Sequence, residues 1–267
     1  MTSTIHADKI MNSSGDQDSG LDLLVNDQVK IKTANTDRVI IDSSGRVGIG
    51  TTSPTDALHV KGFAQIESNA GDAAYLRFDN DVNSGGKIWR TGAGLSAHGT
   101  FSIYNQTDNK FGVNVTSDGY VLKPNNPCFI ATLGASQSIP DQQWTKINLA
   151  TELLDVSNSY DYQTNYRFTA PVTGNYFFTG TVNIANSTVN AGYFYTALAK
   201  NGSIYDYLVG FRPDNNTHFQ SDNQSNGGIV IPLSTGDYVE LWVYVNWATS
   251  GSVTGSSRCK MTGFLIG

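Results

Sequence analysis

The residues best suited to chemistry lie in one long polar segment in the last third of the chain, residues 210–225. Its side chains are aromatic rings, one Arg, one His and many amides and carboxyls. Amides and carboxylates hydrogen-bond sugar hydroxyls, and an aromatic ring stacks on the C–H face of a sugar. A segment of this length without apolar periodicity is typical of a functional loop. We therefore predict non-covalent binding of a surface polysaccharide by Phe211, Arg212, Asp214, Asn216, His218, Asp222 and, from the next loop, Trp247.

Several of these residues also have a purely structural interpretation. Phe211 and Phe219 could be buried anchors that shape the segment. Arg212 could form an ordinary surface ion pair with Asp214 or Asp222. Nearby tyrosines two positions apart are predicted to be strand residues at the core or at a subunit interface, and these pairs are Tyr193/Tyr195 and Tyr205/Tyr207.

No arrangement of catalytic residues stands out. The acidic residues are scattered among turns, and neither a Ser/His/Asp nor a Cys/His arrangement is suggested by context. His218 has no second His at ligand spacing, although a threefold axis could bring copies of it together. The stretch Gly48–Ser53 lacks the Lys-Ser/Thr of a phosphate loop and is followed by Pro54, so we interpret it as a crossover. We expect no catalytic residue, no metal and no cofactor.

The composition predicts an all-β protein with many turns. Charged residues make up 15% and aromatic residues 11% of the chain, while Gly, Asn, Ser and Thr are abundant. The net charge of −6 argues against a nucleic-acid partner. No apolar run approaches the roughly 18 residues of a membrane span, so we expect no membrane insertion. Residues 1–20 lack the apolar core of a signal peptide, which predicts a protein made in the cytoplasm that either stays there or leaves by a route other than secretion. Virus particles released by lysis are one such route.

Residues 21–60 alternate apolar and polar positions in short runs separated by turns. One copy cannot bury enough apolar surface for independent stability, so we expect these faces to meet around a threefold axis. The stretch Ile41–Gly62 is similar to a segment that recurs in bacteriophage tail fibres and in some trimeric bacterial surface proteins. Ala7–Gly15 also resembles tail-fibre N-termini. The resemblance implies that residues 1–20 attach to other phage tail or baseplate proteins.

A short pattern recurs 74 positions further along the chain. It reads Val39-x-Ile41-x-Ser43-x-Gly45-x-Val47 in the first copy and Val113-x-Val115-x-Ser117-x-Gly119-x-Val121 in the second. We interpret residues 63–126 as a second shaft module built from hairpins. Pro124–Pro127 is interpreted as a stiff junction.

The last half of the chain carries a second resemblance. Its residues are Tyr160-Asp161, the run from Phe168 through Tyr176 to Phe178, Gly236-Asp237-x-Val239 and Gly263-Phe264-Leu265-Ile266. This combination resembles the globular head of the C1q / tumour necrosis factor family from Pro127 to Gly267. The resemblance implies a jelly roll that assembles as a tight trimer, with loops 185–191, 210–226 and 246–257 at the tip.

Strands are predicted at 129–134, 143–149, 165–170, 174–184, 192–200, 203–210, 227–233, 237–246 and 258–266, with a short helical turn at Thr151–Val156. If the first and last strands run antiparallel, Phe129–Ala131 faces Phe264–Ile266. Cys128 and Cys259 then lie too far apart for a disulfide, so two free thiols are expected.

These inferences predict an all-β chain, with an N-terminal intertwined trimeric β shaft followed by a C1q/TNF-like jelly-roll sandwich. The predicted parts are an attachment segment (1–20), a first shaft module (21–62), a second shaft module (63–126) and the head (127–267). The predicted function is that of a virion tail fibre or receptor-binding protein that adsorbs to a host surface glycan. The alternatives are a trimeric adhesin encoded by a cell or prophage, and a purely structural virion fibre.

Overall fold

The computed structural model describes residues 7–11, 19–23, 27–69, 71–80, 85–185, 191–211, 224–247, 251–255 and 257–266, with only the backbone at 185, 191, 192, 211, 224, 225 and 247. Within these ranges every helix or strand assigned is a strand, which confirms the predicted all-β class. A helix long and apolar enough to cross a bilayer is not found among them. The chain divides into two compact units between Ala74 and Tyr75.

The first unit contains a six-stranded sheet whose strands lie in chain order. Neighbouring strands are antiparallel, except that the last two run parallel, so residues 50–57 form the predicted crossover. The short first strand was not predicted from the sequence. The strands are β1 (Lys9–Met11), β2 (Gly20–Asp22), β3 (Val29–Thr33), β4 (Thr36–Ile41), β5 (Val47–Ile49) and β6 (Leu58–Val60).

The two faces of this sheet differ sharply in character. Among the described residues of this unit, Ile40 is the only buried branched-aliphatic or aromatic side chain. The polar face carries an ion-pair network in which Lys32 Nζ lies 3.1 Å from Asp22 and 3.4 Å from Asp37. The opposite face, here called the open shaft face, is apolar across all six strands, because cross-strand partners share a face. It consists of Ile10, Leu21, Val29, Ile31, Val39, Ile41, Val47, Ile49, Leu58 and Val60.

A five-stranded sheet of similar construction begins the second unit. Phe101 and Ile103 lie on one face and are 48% and 40% exposed. On the other face the Ser102 hydroxyl donates to Asn114 Oδ1 at 3.0 Å. The strands lie in chain order: β7 (Ala74–Asp79), β8 (Ile88–Ala93), β9 (Phe101–Asn105), β10 (Lys110–Val115) and β11 (Val121–Leu122).

The pattern repeated 74 positions apart folds into the same hairpin in both sheets. Gly45 and Gly119 both have positive φ, of 77° and 87°, which favours glycine at that turn position. Their N–H groups donate to the carbonyls of Asp42 and Thr116, each at 2.9 Å. The side chains of Asp42 and Thr116 also accept the N–H four residues on, at 2.9 and 3.1 Å. The sequence repeat is therefore a structural repeat.

The head consists of two packed sheets, as in a jelly-roll sandwich. In the β18 sheet the neighbours run β13-β23-β18-β24-β12-β15, with β21 along the other edge of β18; in the β22 sheet they run β16-β17-β22-β19-β20, with β14 beside β22. The strands are β12 (Cys128–Thr132), β13 (Gln137–Ile139), β14 (Thr145–Lys146), β15 (Thr151–Asp155), β16 (Tyr160–Asp161), β17 (Arg167–Thr169), β18 (Gly174–Ala185), β19 (Ala191–Lys200), β20 (Ser203–Phe211), β21 (Gln224–Leu233), β22 (Tyr238–Trp247), β23 (Gly251–Val253) and β24 (Lys260–Leu265).

The aromatic residues on which the resemblance in the last half of the chain depends form the centre of this core. Phe168 stacks on Phe129, with ring centroids 4.9 Å apart, and meets Phe178 edge-on at 5.6 Å. Tyr176 and Phe178 are fully buried, which confirms that their two-residue spacing directs both rings to one face. The Tyr176 hydroxyl reaches the surface side of the core and donates to the Val172 carbonyl at 2.7 Å. The spacing of these aromatic residues in the sequence therefore reflects their packing in the core.

Gly263, in the C-terminal part of that pattern, has a packing role. It lies on β24 directly between Phe129 of β12 and Phe178 of β18. A Cβ at this position would lie 2.5 Å from the Phe178 ring and 2.7 Å from the Phe129 ring. The absence of a side chain therefore lets the two rings approach across the strand.

Other details differ from the predictions. Residues 151–155 form a strand rather than a helical turn, and residues 251–253 form a strand within a predicted loop. The first and last head strands are antiparallel as expected, but Phe129 pairs with Gly263, so the predicted register was wrong. Cys128 and Cys259 are both free thiols, as predicted.

The predicted turn at Gly236-Asp237 is built around one carboxylate. Asp237 accepts hydrogen bonds from the Asn201 amide and the Ser234 N–H, each at 2.9 Å. It also forms an ion pair with Lys200 at 2.9 Å. These donors, led by Asn201, lower the pKa of Asp237 to about 2.

This shift gives an expected pH dependence. Because the folded pKa lies below the unfolded value of 3.8, Asp237 contributes stability above pH 4 that is lost as the pH falls toward about 2. Chemical denaturation between pH 5 and 2 should therefore show a smaller loss of stability for Asp237→Asn than for the unmodified chain. Equal pH slopes for the two proteins would contradict this assignment.

Candidate functional site

The outward face of the β22 sheet carries a cluster of aromatic side chains. Alternation along β22 directs Val243 and Val245 into the core and Tyr244 outward. On β19 the same alternation buries Phe194 and turns Tyr193 and Tyr195 outward. Because Tyr195 pairs with Tyr244, the outward rings of the two strands lie side by side.

These rings line an open groove with a volume of about 430 Å³. The Trp144 ring tilts against Tyr207 and Tyr244, with centroids 5.7 and 5.5 Å apart. Tyr195 meets Tyr207 edge-on at 5.7 Å, and Tyr193 stacks on Tyr244 at 6.0 Å. We call this surface the aromatic groove; it consists of Trp144, Tyr193, Tyr195, Tyr207 and Tyr244.

Two backbone features hold the groove in shape. Gly210 pairs with Tyr195, and a Cβ at Gly210 would lie 2.7 Å from the Tyr195 ring. On the other side, the Gln142 N–H donates to the Val245 carbonyl at 2.8 Å, and Thr145 pairs with Val243. This brings the chain around Trp144 against the strand that carries Tyr244.

The neighbours of Tyr244 in the groove oppose ionisation of its phenol. A hydrogen bond with Tyr193 raises the pKa of the Tyr244 phenol, and burial and the nearby Asp141 carboxylate act in the same direction. Lys146, on the strand next to Trp144, already lies 3.0 Å from the buried Glu240 carboxylate. The charge of this cation is therefore compensated within the protein.

The candidate residues predicted from the sequence lie next to this groove or beyond the described structure. Phe211 is the last residue of β20 and Trp247 the last residue of β22; their side chains are not described. Their strand ends lie beside the groove, since Phe211 pairs with Phe194 and Trp247 with Ala191. The remaining candidates lie outside the described residues: Arg212, Asp214, Asn216, His218 and Asp222.

The tyrosine pairs are strand residues, as predicted, but they lie outside the core, so only the interface alternative of the prediction remains. Tyr193 and Tyr195 are partly exposed, and Tyr205 and Tyr207 are 45% and 57% exposed. Sequence reasoning missed Trp144 and Tyr244 as members of a shared surface. The signal available in the sequence was the place of Tyr244 between Val243 and Val245, which directs its ring to the face opposite the two valines. Trp144 lies in a separate segment, whose position depends on tertiary structure.

The acidic side chains of the head that the structure describes serve mainly to shape turns. Asp155 accepts the N–H of Tyr160 at 2.7 Å. Asp161 accepts the N–H groups of Gln163 and Thr164, and these bonds lower the pKa of Asp161, the one from Thr164 most. Among the described residues, no three His, Cys, Asp or Glu side chains are grouped so as to hold a metal ion.

Comparisons with known proteins identify the head. The family described as C1q domain matches residues 128–266. Among solved structures, the chain is similar to Eiger TNF from S. frugiperda (TM-score 0.40, 10% identity, 53% of this chain and 92% of that chain) and to the globular domain of zebrafish complement 1qA (TM-score 0.36, 18% identity, 53% and 98%).

Two curated relatives come from Bacillus subtilis strain 168. The protein YqcC is 33% identical over 108 residues, which is 39% of this chain and 28% of that protein. The phage-like element PBSX protein XkdV is 31% identical over 128 residues, which is 47% of this chain and 18% of that protein. The matched region thus spans less than a third of either relative.

Proposed function

Because the chain belongs to the C1q domain family, we propose that it is a trimeric phage tail fibre or receptor-binding protein whose C1q head adsorbs to a host surface glycan. The observation that carries the phage assignment is the 31% identity with the PBSX protein XkdV over 47% of the chain. The resemblance of Ala7–Gly15 and Ile41–Gly62 to tail fibres supports the same assignment. In this proposal residues 1–20 attach to another tail or baseplate protein, and the assembled fibre is located in the virion.

Exposed apolar surface supports the homotrimer. The open shaft face leaves Ile31 47% and Leu58 61% exposed in a single chain. The outward face of the β18 sheet is also apolar, with Phe177 and Phe264 in contact at 5.5 Å and Val230 and Phe264 each 46% exposed. Contiguous apolar surface of this kind marks an interface. Three identical chains, intertwined along the shaft, would cover it.

Replacing Ile31 with Asp tests this arrangement. If the open shaft face meets other copies, an unpaired carboxylate there is buried, and we expect the concentration for half-dissociation to rise about a hundredfold or more. The measurement is light scattering of the full chain over a range of concentrations. The control is His59→Asp, a half-buried strand position on the opposite face of the same sheet, where His59 pairs with Gly48. A monomeric unmodified chain would contradict the trimer.

The aromatic groove and the adjacent strand ends supply the proposed receptor contact. Aromatic rings and phenol hydroxyls suit sugars, and the predicted residues Phe211 and Trp247 lie on the strand ends beside them. Binding at one head would be weak. Several identical heads on one particle would convert weak contacts into stable adsorption through effective concentration.

Competition for adsorption tests the function directly. Purified full-length protein should block adsorption of the phage that encodes it, and removal of surface polysaccharide from the host should abolish cell binding. Binding to host cells without any effect on adsorption would instead favour an adhesin encoded by a cell or prophage. Failure to bind host cells would favour a purely structural fibre, in which the head only locks the trimer.

A further inference from the structure

We propose that the aromatic groove binds a quaternary ammonium group, a trimethylammonium of the choline type, carried as a substituent on the host surface glycan. This inference rests on the proposed glycan-binding function and specifies which part of the glycan occupies the same site. Three features of the groove support it: the closed arrangement of its ring centroids, the inclination of the rings to one another, and the room left for the rest of the ligand.

Four of the five groove rings form a closed circuit of contacts. The Trp144 ring centroid lies 5.7 Å from that of Tyr207 and 5.5 Å from that of Tyr244. The Tyr195 centroid lies 5.7 Å from that of Tyr207 and 6.4 Å from that of Tyr244. With sides of this length, the midpoint between two opposite centroids lies within about 6 Å of all four, the distance over which a ring face attracts a cation. One bound cation is therefore within reach of four rings at once.

The inclination of the rings favours a rounded ligand over a flat one. Around the circuit, neighbouring ring planes are inclined by 60°, 76°, 50° and 53°. The rings therefore form the walls of a cup and not one flat layer. A pyranose stacks its C–H face on a single ring plane. A trimethylammonium group is nearly spherical and presents methyl groups in several directions, so it contacts several inclined faces together.

The chemistry of the ring faces selects a quaternary ammonium among cations. The faces of Trp and Tyr attract cations through the ring quadrupole, and Trp does so most strongly. A primary ammonium is strongly hydrated and loses hydrogen bonds to water when it enters an aromatic site. A quaternary ammonium has no N–H group, so it leaves water at a lower cost. Its methyl groups also bury apolar surface against the rings.

The open side of the groove has room for the rest of the ligand. Its volume of about 430 Å³ lies within the usual range for small-ligand sites. Tyr193 stacks on Tyr244 with the planes inclined by only 6°, which supports that wall of the cup. Tyr207 is 57% exposed, so the wall that it forms is accessible from solvent. The ammonium group therefore enters from the solvent side, with its glycan outside.

The experiment is a calorimetric titration of the full-length protein at constant ionic strength. The two probes are choline chloride and its uncharged isostere dimethylbutanol, in which a tert-butyl group replaces the trimethylammonium. Choline should bind about tenfold tighter than the isostere, because only choline gains the attraction of the ring faces. Tyr207→Ala should weaken choline binding about tenfold, whereas Tyr207→Phe, which keeps the ring, should stay within about twofold of the unmodified protein. The matched control is Tyr205→Ala, a tyrosine that is 45% exposed and lies outside the groove.

Several results would overturn the inference. Equal binding of choline and the isostere would mean that the groove recognises apolar shape alone. Choline binding that is unchanged in Tyr207→Ala would exclude the groove. If choline does not bind but the protein still blocks phage adsorption, the groove inference fails and the attachment function survives. If choline binds but adsorption is not blocked, the proposed function fails and the ligand chemistry of the groove stands.

A last comparison separates a glycan substituent from a lipid headgroup of the same chemistry. Free choline should displace the protein from host cells, and the protein should not bind phosphatidylcholine vesicles. Binding to the vesicles, together with host-cell binding that is insensitive to choline, would assign the site to a lipid and contradict the proposal.

Discussion

Replacing Phe168 with Ala is expected to lower the free energy of unfolding of the head by about 3–5 kcal/mol, the usual cost of removing a large buried aromatic side chain. Phe168 is fully buried and its ring contacts Phe129, Tyr176 and Phe178 at centroid distances of 4.9 to 5.6 Å. Both sheets contribute to this cluster, so the cavity cannot close by a shift of one strand. Urea denaturation followed by near-ultraviolet circular dichroism measures the loss.

The control for this prediction is Tyr205→Ala, which removes an aromatic ring that is 45% exposed. We expect a change of less than about 1 kcal/mol for an exposed position. A Phe168→Ala protein as stable as this control would mean that the aromatic cluster does not hold the sheets together. The protein concentration must be the same in all samples, because an oligomer gains stability with concentration.

Replacing Gly263 with Ala should destabilise the head by about 1–3 kcal/mol, because added volume in a filled core forces strain. The new methyl group would lie 2.5 Å from the Phe178 ring and 2.7 Å from the Phe129 ring. Both rings are fixed by their own stacking, so neither can move aside without breaking another contact. Thermal and urea denaturation of the full chain give the change.

Gly112→Ala provides the matched control. Gly112 also lies within a strand, but the nearest atoms to an added Cβ are 3.7 Å away, an ordinary contact distance. This substitution should be neutral or slightly stabilising, since alanine restricts the unfolded chain. Equal changes in stability for the two substitutions would show that the close packing of the Phe129 and Phe178 rings against Gly263 does not contribute to stability.

The family-like pattern in the last half of the chain predicted the head well, because its residues are those that the core requires. Phe168, Tyr176, Phe178 and Val239 all became buried in one cluster. The repeat around Gly45 and Gly119 likewise predicted two similar hairpins. In these cases a local pattern determines both the turn and the buried face.

Other elements could not be predicted because tertiary pairing decides them. Residues 151–155 contain Glu and Leu, which favour helices, yet pairing with β12 makes them a strand. Gly251–Val253 has little strand propensity of its own and is fixed by β13 and β18. Trp144 belongs to the aromatic groove only because its segment is held against Val245. Such contacts are between residues distant in sequence.

The candidate site was predicted only in part. Loop length and composition drew attention to residues 210–225, and the strand ends at Phe211 and Trp247 lie beside the groove. The groove itself consists of strand residues whose spacing also suited a core or an interface. Side chains two positions apart in a strand lie on the same face of the sheet, but the spacing does not show which face is covered.

The position of Cys128 makes its thiol a chemical probe of whether the apolar surface of the head is covered. Its cross-strand partner on β24 is Phe264, and Phe264 pairs in turn with Phe177 on β18. The thiol therefore borders the apolar outward face of the β18 sheet, which an assembled head would cover. Burial raises the pKa of the Cys128 thiol, so alkylation requires mildly alkaline solution. Cys259, fully buried in the core, serves as an internal reference that reacts only on unfolding. In one sample, alkylation of Cys128 without alkylation of Cys259 would therefore report exposure of this apolar surface, and alkylation of Cys259 would report unfolding.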